Sequence, residues 1–198
     1  KGGAFRLARL DAEFYQPHFL AADTWLQAHR TQPLANLMLS GSYGVLPKSE
    51  DYGSGDLRFL RATDIGHLYV EEENALRVPR SYADSKGIAR TGDVLLEVKG
   101  MIAGGAVCPE EADGYLVNGS IFRIRPKTDI DAHFLAAVLV GPIGAVQKQR
   151  ASSNSVISYV SLDFVRALQI PRFGDEKETA IGDDVRCFDS NRRKASSL

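Results

Sequence analysis

The sequence predicts an α+β fold: a curved, partly closed β-sheet with small helices, flanked by an N-terminal helix and a projecting C-terminal helix. Three observations predict it. Apolar residues at helical spacing are confined to the two ends of the chain and to the stretch from Asp129 to Gln149. Between them lie about six to eight short apolar runs, punctuated by Gly, Pro, Asp and Asn. The order is therefore helix, strands with small helices between them, then helices, which suits helices gathered at one end of a sheet.

The first helix runs from His18 to about Arg30. Pro17 suits its first turn. Phe19, Leu20, Ala22, Trp25, Leu26 and Ala28 recur near helical spacing, and Pro33 closes it. Trp25 reads as helix packing. Leu34–Leu39 and Leu57–Ala62 read as strands around a long polar loop, SGSYGVLPKSEDYGSGD. In the second of these, Leu57, Phe59 and Leu60 supply an apolar face, while Arg58 and Arg61 supply a guanidinium face. LYVEEENALRVP gives a short strand and an acidic turn. SYADSKGIA reads as a helix of one to two turns, with Ser81 as N-cap and Gly87 as stop. TGDVLLEVKG, AGGAVC, GYLVN and SIFRIRP are four more strands, and Asn118-Gly119 marks a tight turn or bulge.

DIDAHFLAAVLVGPIGAVQKQR reads as a buried helix, broken at Gly141-Pro142 and resumed to about Gln149. ASSNSVISYVS is a small-polar loop. SLDFVRALQIP is a short helix capped by Ser161, then a strand ending at Pro171. In the final charged segment, Ala180, Ile181, Val185 and Phe188 form a thin apolar stripe on a long helix. Such a helix needs a partner outside its own segment.

Composition narrows the function classes. With 198 residues and 44% hydrophobic content, the chain holds a globular core. No apolar run reaches the roughly 18 residues of a membrane helix, and the start carries no leader pattern, so a cytoplasmic location is expected. Cys108 and Cys187 are read as two reduced thiols, and the four histidines have no zinc-ligand spacing. No metal or cofactor is expected. A net charge of −1 gives no global basic excess, which leaves room only for a basic face balanced by an acidic back. Nucleophile-elbow, zinc-protease and phosphate-loop motifs are absent, as are the Asp/Asn-Pro-Pro-Tyr/Phe methyltransferase signature and the Pro-Asp…Glu-x-Lys nuclease pattern. Catalysis is expected in partner subunits or in a part of the protein outside this chain.

Seven pieces in order carry a resemblance: RLDAEFYQP, LANLMLSGSYG, FLRATDI, RTGDVLLEVKGMIAGGAV, YLVNGSIFRIRP, HFLAAVLVGPIG and ASSNSVISYVSLDFVRALQIP. Together, from roughly Arg9 to Ile181, they resemble the target recognition domain of type I restriction–modification specificity subunits, or its equivalent in a fused restriction–methyltransferase enzyme. The resemblance implies a prokaryotic, non-catalytic module that reads double-stranded DNA. It implies methyltransferase subunits, and restriction subunits, as partners docked on long helices. In that family the helix after the last strand usually begins Pro-x-x-x-x-Gln. Here Pro171 is followed by RFGDEKET, with Lys177 or Glu178 near the place of the Gln. That departure leaves the fold intact and bears on subtype and partner. A half-length subunit that dimerises through its terminal helices, a piece of a two-domain subunit and part of a fused enzyme all remain open. The expected division is residues 1–33 as a helical segment, 34–172 as the recognition domain and 173–198 as a helix for spacing or dimerisation. The rival reading is a protein-interaction scaffold built on the terminal helices, with no DNA reading of its own.

Candidate DNA contacts follow from side-chain chemistry. In the long polar loop they are Tyr43, Lys48 and Tyr52. On the following strand they are Arg58 and Arg61, for which salt bridges within the chain compete. Lys99 sits before the glycine pair Gly104-Gly105, which suits either a strand turn or a loop beside a DNA groove. QKQRASSNSV contributes Gln147, Lys148, Arg150, Ser152, Ser153 and Asn154. Arg and Lys suit guanine edges, Gln and Asn suit adenine edges, and Ser suits phosphates. Asn118 and Ser120 are read as a turn-stabilising hydrogen bond.

Overall fold

The computed structural model describes residues 12–83, 86–152 and 159–196. Helix α1 (Pro17–Ala28) opens the description, with Pro17 in its first turn. Strand β1 (Thr31–Pro33) follows, and β9 (Gln169–Pro171) returns from the far end of the chain to pair with it antiparallel. The four-stranded sheet has the order β2 (Met38–Tyr43), β8 (Ile121–Pro126), β5 (Val94–Glu97), β6 (Gly105–Val107). A three-stranded sheet has the order β4 (Leu76–Val78), β3 (Leu57–Leu60), β7 (Leu116–Val117), with β3 and β7 parallel. Helices α2 (Ala132–Val140), α3 (Pro142–Ser152), α4 (Leu162–Ala167) and α5 (Asp175–Ser196) complete it.

Burial explains the sheet order. Along β5 the side chains alternate between two cores. Val94 and Leu96 face one with Leu34, Phe122, Ile124, Phe134, Leu139 and Val165. Leu95 faces the other with Leu60, Ile65, Ala106, Val117 and Ile121. A strand buried on both faces reads as the continuous apolar run that Val94-Leu95-Leu96 displays. Each fully buried Leu or Phe contributes about 1.5–3 kcal/mol. One polar knot sits in this packing. Asp93, fully buried, accepts from Arg123 at 3.1 Å, from Arg125 at 2.9 Å and from the Arg90 N–H at 2.9 Å.

The α+β class and the element order agree with the sequence. The helix break falls at Gly141, and Asp131 caps α2 by accepting the N–H groups of His133 and Phe134. Ser161 caps α4 by accepting the Phe164 N–H at 3.4 Å. Four details differ. The sheet is not one partly closed surface: among the described residues the strands fall into three open sheets. The first apolar run opens as a 3-10 turn at Leu34–Asn36 and becomes strand only from Met38. Leu34 and Leu37, three apart, both drop into the core there, and Leu34 N–H donates to Leu168 O. In place of the helix start expected at Ser81, the described residues show a 3-10 turn, Arg80–Tyr82, with the Tyr82 hydroxyl donating to Asp51 at 2.5 Å; Asp84 and Ser85 lie outside the described residues. Finally, α5 does not stand free: it lies along α2, with Arg186 donating to Asp131 at 2.8 Å and Arg193 to Glu72 at 2.6 Å.

Candidate nucleic-acid interface

One row of residues crosses the four-stranded sheet at its end: Tyr43 opposite Phe122, Phe122 opposite Leu96, Leu96 opposite Gly105. Past this row the chain leaves the sheet in three segments that meet as a rim. They are Gly44–Lys48 after β2, Val98–Gly104 between β5 and β6, and Asn118–Ser120 before β8. Backbone bonds tie them together. Val98 N–H donates to Ser120 O at 2.9 Å, and Gly119 N–H donates to Val45 O at 2.9 Å. Asn118 Oδ1 accepts the Ser120 N–H at 2.8 Å, the turn expected for that pair. Lys99 bridges to Tyr159, and Tyr159 stacks on Tyr43 with ring centroids 6.3 Å apart.

The middle segment is held with unusual firmness. The Glu97 carboxylate accepts three backbone N–H groups, from Met101 at 3.2 Å, Ala103 at 3.0 Å and Gly104 at 3.0 Å. Gly104 and Gly105 are required by close approach rather than by backbone conformation. A Cβ on Gly104 would stand 2.5 Å from Ile65 O, and one on Gly105 would stand 2.6 Å from Val140 Cγ1. The left-handed backbone lies two residues earlier, at Ile102, with φ 57°. A non-glycine residue there costs about 1–3 kcal/mol. The conformation buries Ile102 in the core and turns Met101 outward to 88% exposure.

Sequence reasoning brings Tyr43, Lys48 and Lys99 to this rim. Tyr43 is half-buried, donates to Val160 O at 3.3 Å and accepts from the Tyr159 hydroxyl at 3.2 Å. Burial, then the Tyr159 bond, raise its phenol well above the usual range. Lys48 and Lys99 are exposed, and the Lys48 ammonium pairs with the equally exposed Glu50 at 3.6 Å. Three rim residues were not read from the sequence: Leu46 at 68% exposure, Met101 and Tyr159 at 44%. The readable signal is an apolar residue two positions from a lysine in a punctuated loop, Leu46-Pro47-Lys48 and Lys99-Gly100-Met101.

The other candidates lie elsewhere. Tyr52 packs on Phe59 with centroids 5.5 Å apart. Arg58 donates to the carbonyls of Glu72 at 3.0 Å and Glu73 at 3.4 Å, over the Tyr115 ring. Arg61 pairs with Asp64 at 2.7 Å. These three sit on or beside the three-stranded sheet, with the Tyr52 ring packed and both guanidinium groups bonded inside the chain. Gln147 clasps the Gln169 backbone, donating to its carbonyl at 3.0 Å and accepting its N–H at 2.8 Å. Arg150 reaches α1, pairing with Asp23 at 2.7 Å and lying over Phe14. Ser152 donates to Gln149 O at 3.1 Å.

Lys148 is 1% exposed, and its Nζ has no hydrogen-bond partner among the described residues. Burial lowers its pKa to about 8, against a smaller upward pull from Glu97. Ser153 and Asn154 lie outside the described residues.

Among the described residues neither cysteine is paired with a base. Cys108 is buried, and burial pushes its thiol up to about 12, which keeps it protonated; Cys187 is exposed, and both are free. Among the described residues no group of His, Cys, Asp and Glu is placed to hold a metal ion, and no helix is long and apolar enough to cross a membrane.

No family model and no curated protein matches the sequence. Solved structures do match in fold. One is the HsdS subunit from Thermoanaerobacter tengcongensis, with TM-score 0.58 and 19% identity, over 95% of this chain and 48% of that one. Another is the type I restriction–modification system S subunit from M. genitalium, with TM-score 0.57 and 12% identity, over 85% of this chain and 41% of that one. The type IIG restriction endonuclease BpuSI matches with TM-score 0.64 and 10% identity, over 87% of this chain and 28% of that one. At these identities the likeness is one of fold: the chain has the α+β fold of restriction–modification S subunits and spans about half their length.

Proposed function

We propose that this chain is a sequence-specific reader of double-stranded DNA, the target recognition module of a restriction–modification system. The observation that carries the reading is the rim at the end of the four-stranded sheet, where Lys48, Lys99, Leu46, Met101 and Tyr159 are presented by tied segments. Lysines suit phosphates, and apolar and aromatic tips suit base edges and base faces. The similarity in fold to S subunits supports the same reading. Residues 34–172 form the reading unit, and the helical segments 1–33 and 173–198 serve spacing and docking. Lys48, Lys99, Ser152, Ser153 and Asn154 are assigned as contacts, and Tyr43 supports Tyr159. Tyr52, Arg58, Arg61, Gln147, Lys148 and Arg150 act as frame, since their side chains are packed or bonded within the chain.

The module has no chemistry of its own in this reading. It directs methyltransferase subunits, and restriction subunits, in a prokaryotic cytoplasm. Selection of bound duplexes from a randomised library at low salt, followed by sequencing, tests it. A recovered motif whose binding weakens steeply with salt is the expected result, because phosphate contacts release counterions. Absence of any motif sinks it. A split motif with a fixed spacer assigns two copies of the module reading two half-sites.

A second reading is favoured by one observation. Phe188 is 47% exposed on the outer face of α5, which suits a helix-mediated assembly scaffold. Its discriminating result is a stable dimer that is lost when residues 174–198 are removed, together with no affinity for DNA.

A further inference from the structure

Met101 is exposed to 88%, and the loop that exposes it is pinned at several points. Glu97 holds the N–H groups of Met101, Ala103 and Gly104. Ile102 is plugged into the core with a left-handed backbone, and Gly100 before it has φ +104°. Lys99 bridges to Tyr159 on the other flank. A side chain set on such a loop loses little further freedom on contact, so its binding costs are largely met in the fold. Methionine is unbranched and polarisable, which fits it to irregular apolar gaps and to aromatic faces. Apolar wedges of this kind insert between stacked bases and kink duplex DNA.

Resting on the DNA-reading assignment above, we propose that Met101 is a wedge that enters a base step of the bound duplex, with Lys99 on the adjoining phosphate. Leu46, beside Lys48 on the neighbouring segment and in contact with Gly119, forms the second apolar edge of the same rim. The wedge makes the stacking strength of one step part of the recognised sequence. Flexible pyrimidine–purine steps are opened at least cost, so the module discriminates for such a step at the place Met101 enters.

The experiment uses the duplex returned by the library selection, with 2-aminopurine placed at each position in turn. Wild-type protein is expected to raise the fluorescence several-fold at one step. Met101→Ala is expected to abolish that rise and weaken binding about ten-fold, with an unchanged salt slope and melting temperature. Met101→Leu restores both signals. Leu39→Ala serves as control, because Leu39 is 65% exposed at the opposite end of the same sheet and is expected to change neither. Tight binding by wild type with no fluorescence rise at any position overturns the wedge and leaves DNA reading intact. So does a Met101→Ala protein indistinguishable from wild type. Failure of wild type to bind any duplex overturns the DNA reading, and the wedge with it.

Discussion

The Glu178 carboxylate grips the Arg172 guanidinium at 2.9 Å and also accepts the Phe173 N–H at 2.8 Å. It is 3% exposed and sits in the first turn of α5, where free N–H groups and the helix dipole favour a negative charge. Arg172 extends the lock to β1 through Gln32 at 2.9 Å. This acid stands near the place where the resemblance leads one to look for a glutamine. Burial pushes its pKa up, but the Arg172 pair and the Phe173 N–H together hold it below the ordinary value of 4.5. A carboxyl depressed in the folded state stabilises the fold above its unfolded pKa, and that contribution is lost as pH falls through the folded value. Glu178→Gln is therefore expected to lower stability by about 1–3 kcal/mol at pH 7. Urea melts from pH 7 to pH 3 should show a smaller acid loss in the variant than in wild type.

Lys148→Met is expected to stabilise the protein at neutral pH. The buried amine has a pKa of about 8 in the fold against 10.5 when exposed. Between those values the unfolded chain binds more protons, so wild-type stability rises with pH; below about 8 the full cost is present, on the order of 3 kcal/mol. Methionine fills a similar space with no charge to desolvate. Melts at pH 7 and pH 10 should show the variant ahead at pH 7 and the gap narrowed at pH 10. A variant less stable at pH 7 would mean that the amine has a partner worth more than its burial costs.

Asp93→Asn should be among the most damaging single changes. Arg123 is 7% exposed and depends on Asp93 for its counter-charge. Leaving a buried cation unpaired costs about 3–5 kcal/mol. A shift of the urea midpoint by less than a third of that amount would show the guanidinium escaping to solvent.

Glu97→Ala should loosen the Met101 loop without unfolding the sheet. Three N–H groups lose their acceptor, and loops with few remaining bonds open at low free energy. Trypsin cleavage after Lys99 is expected to quicken about ten-fold, following roughly 1.4 kcal/mol per decade. An unchanged rate would assign the loop's order to Ile102 alone.

What was legible in the sequence has a local cause. The break at Gly141-Pro142, the Ser161 cap and the Asn118 turn are set by residues within a few positions of one another. The strand Val94–Glu97 is announced by its own apolar run. The contacts that the sequence does not announce depend on distant partners. Gln147 and Arg150 have the chemistry of a DNA-facing helix end, yet Gln169 and Asp23 claim them from far along the chain. Lys148 is masked by its type, since lysine is rarely buried fully. The 3-10 turn after Pro79 is tied to Asp51, far back in the chain, by the Tyr82 hydroxyl. Met101 was passed over because an exposed methionine has no periodic signature; only the pinned loop around it gives the exposure a meaning.

The pairing of β1 with β9 has a mechanical consequence. Thr31 lies opposite Pro171 and Pro33 opposite Gln169, so the chain leaves its first helix and returns toward its last at one spot. The residues between are braced to both helices: Arg150 ties α3 to α1 through Asp23, and Arg186 ties α5 to α2 through Asp131. A tilt of either terminal helix is therefore transmitted to the body of the fold rather than absorbed at the seam.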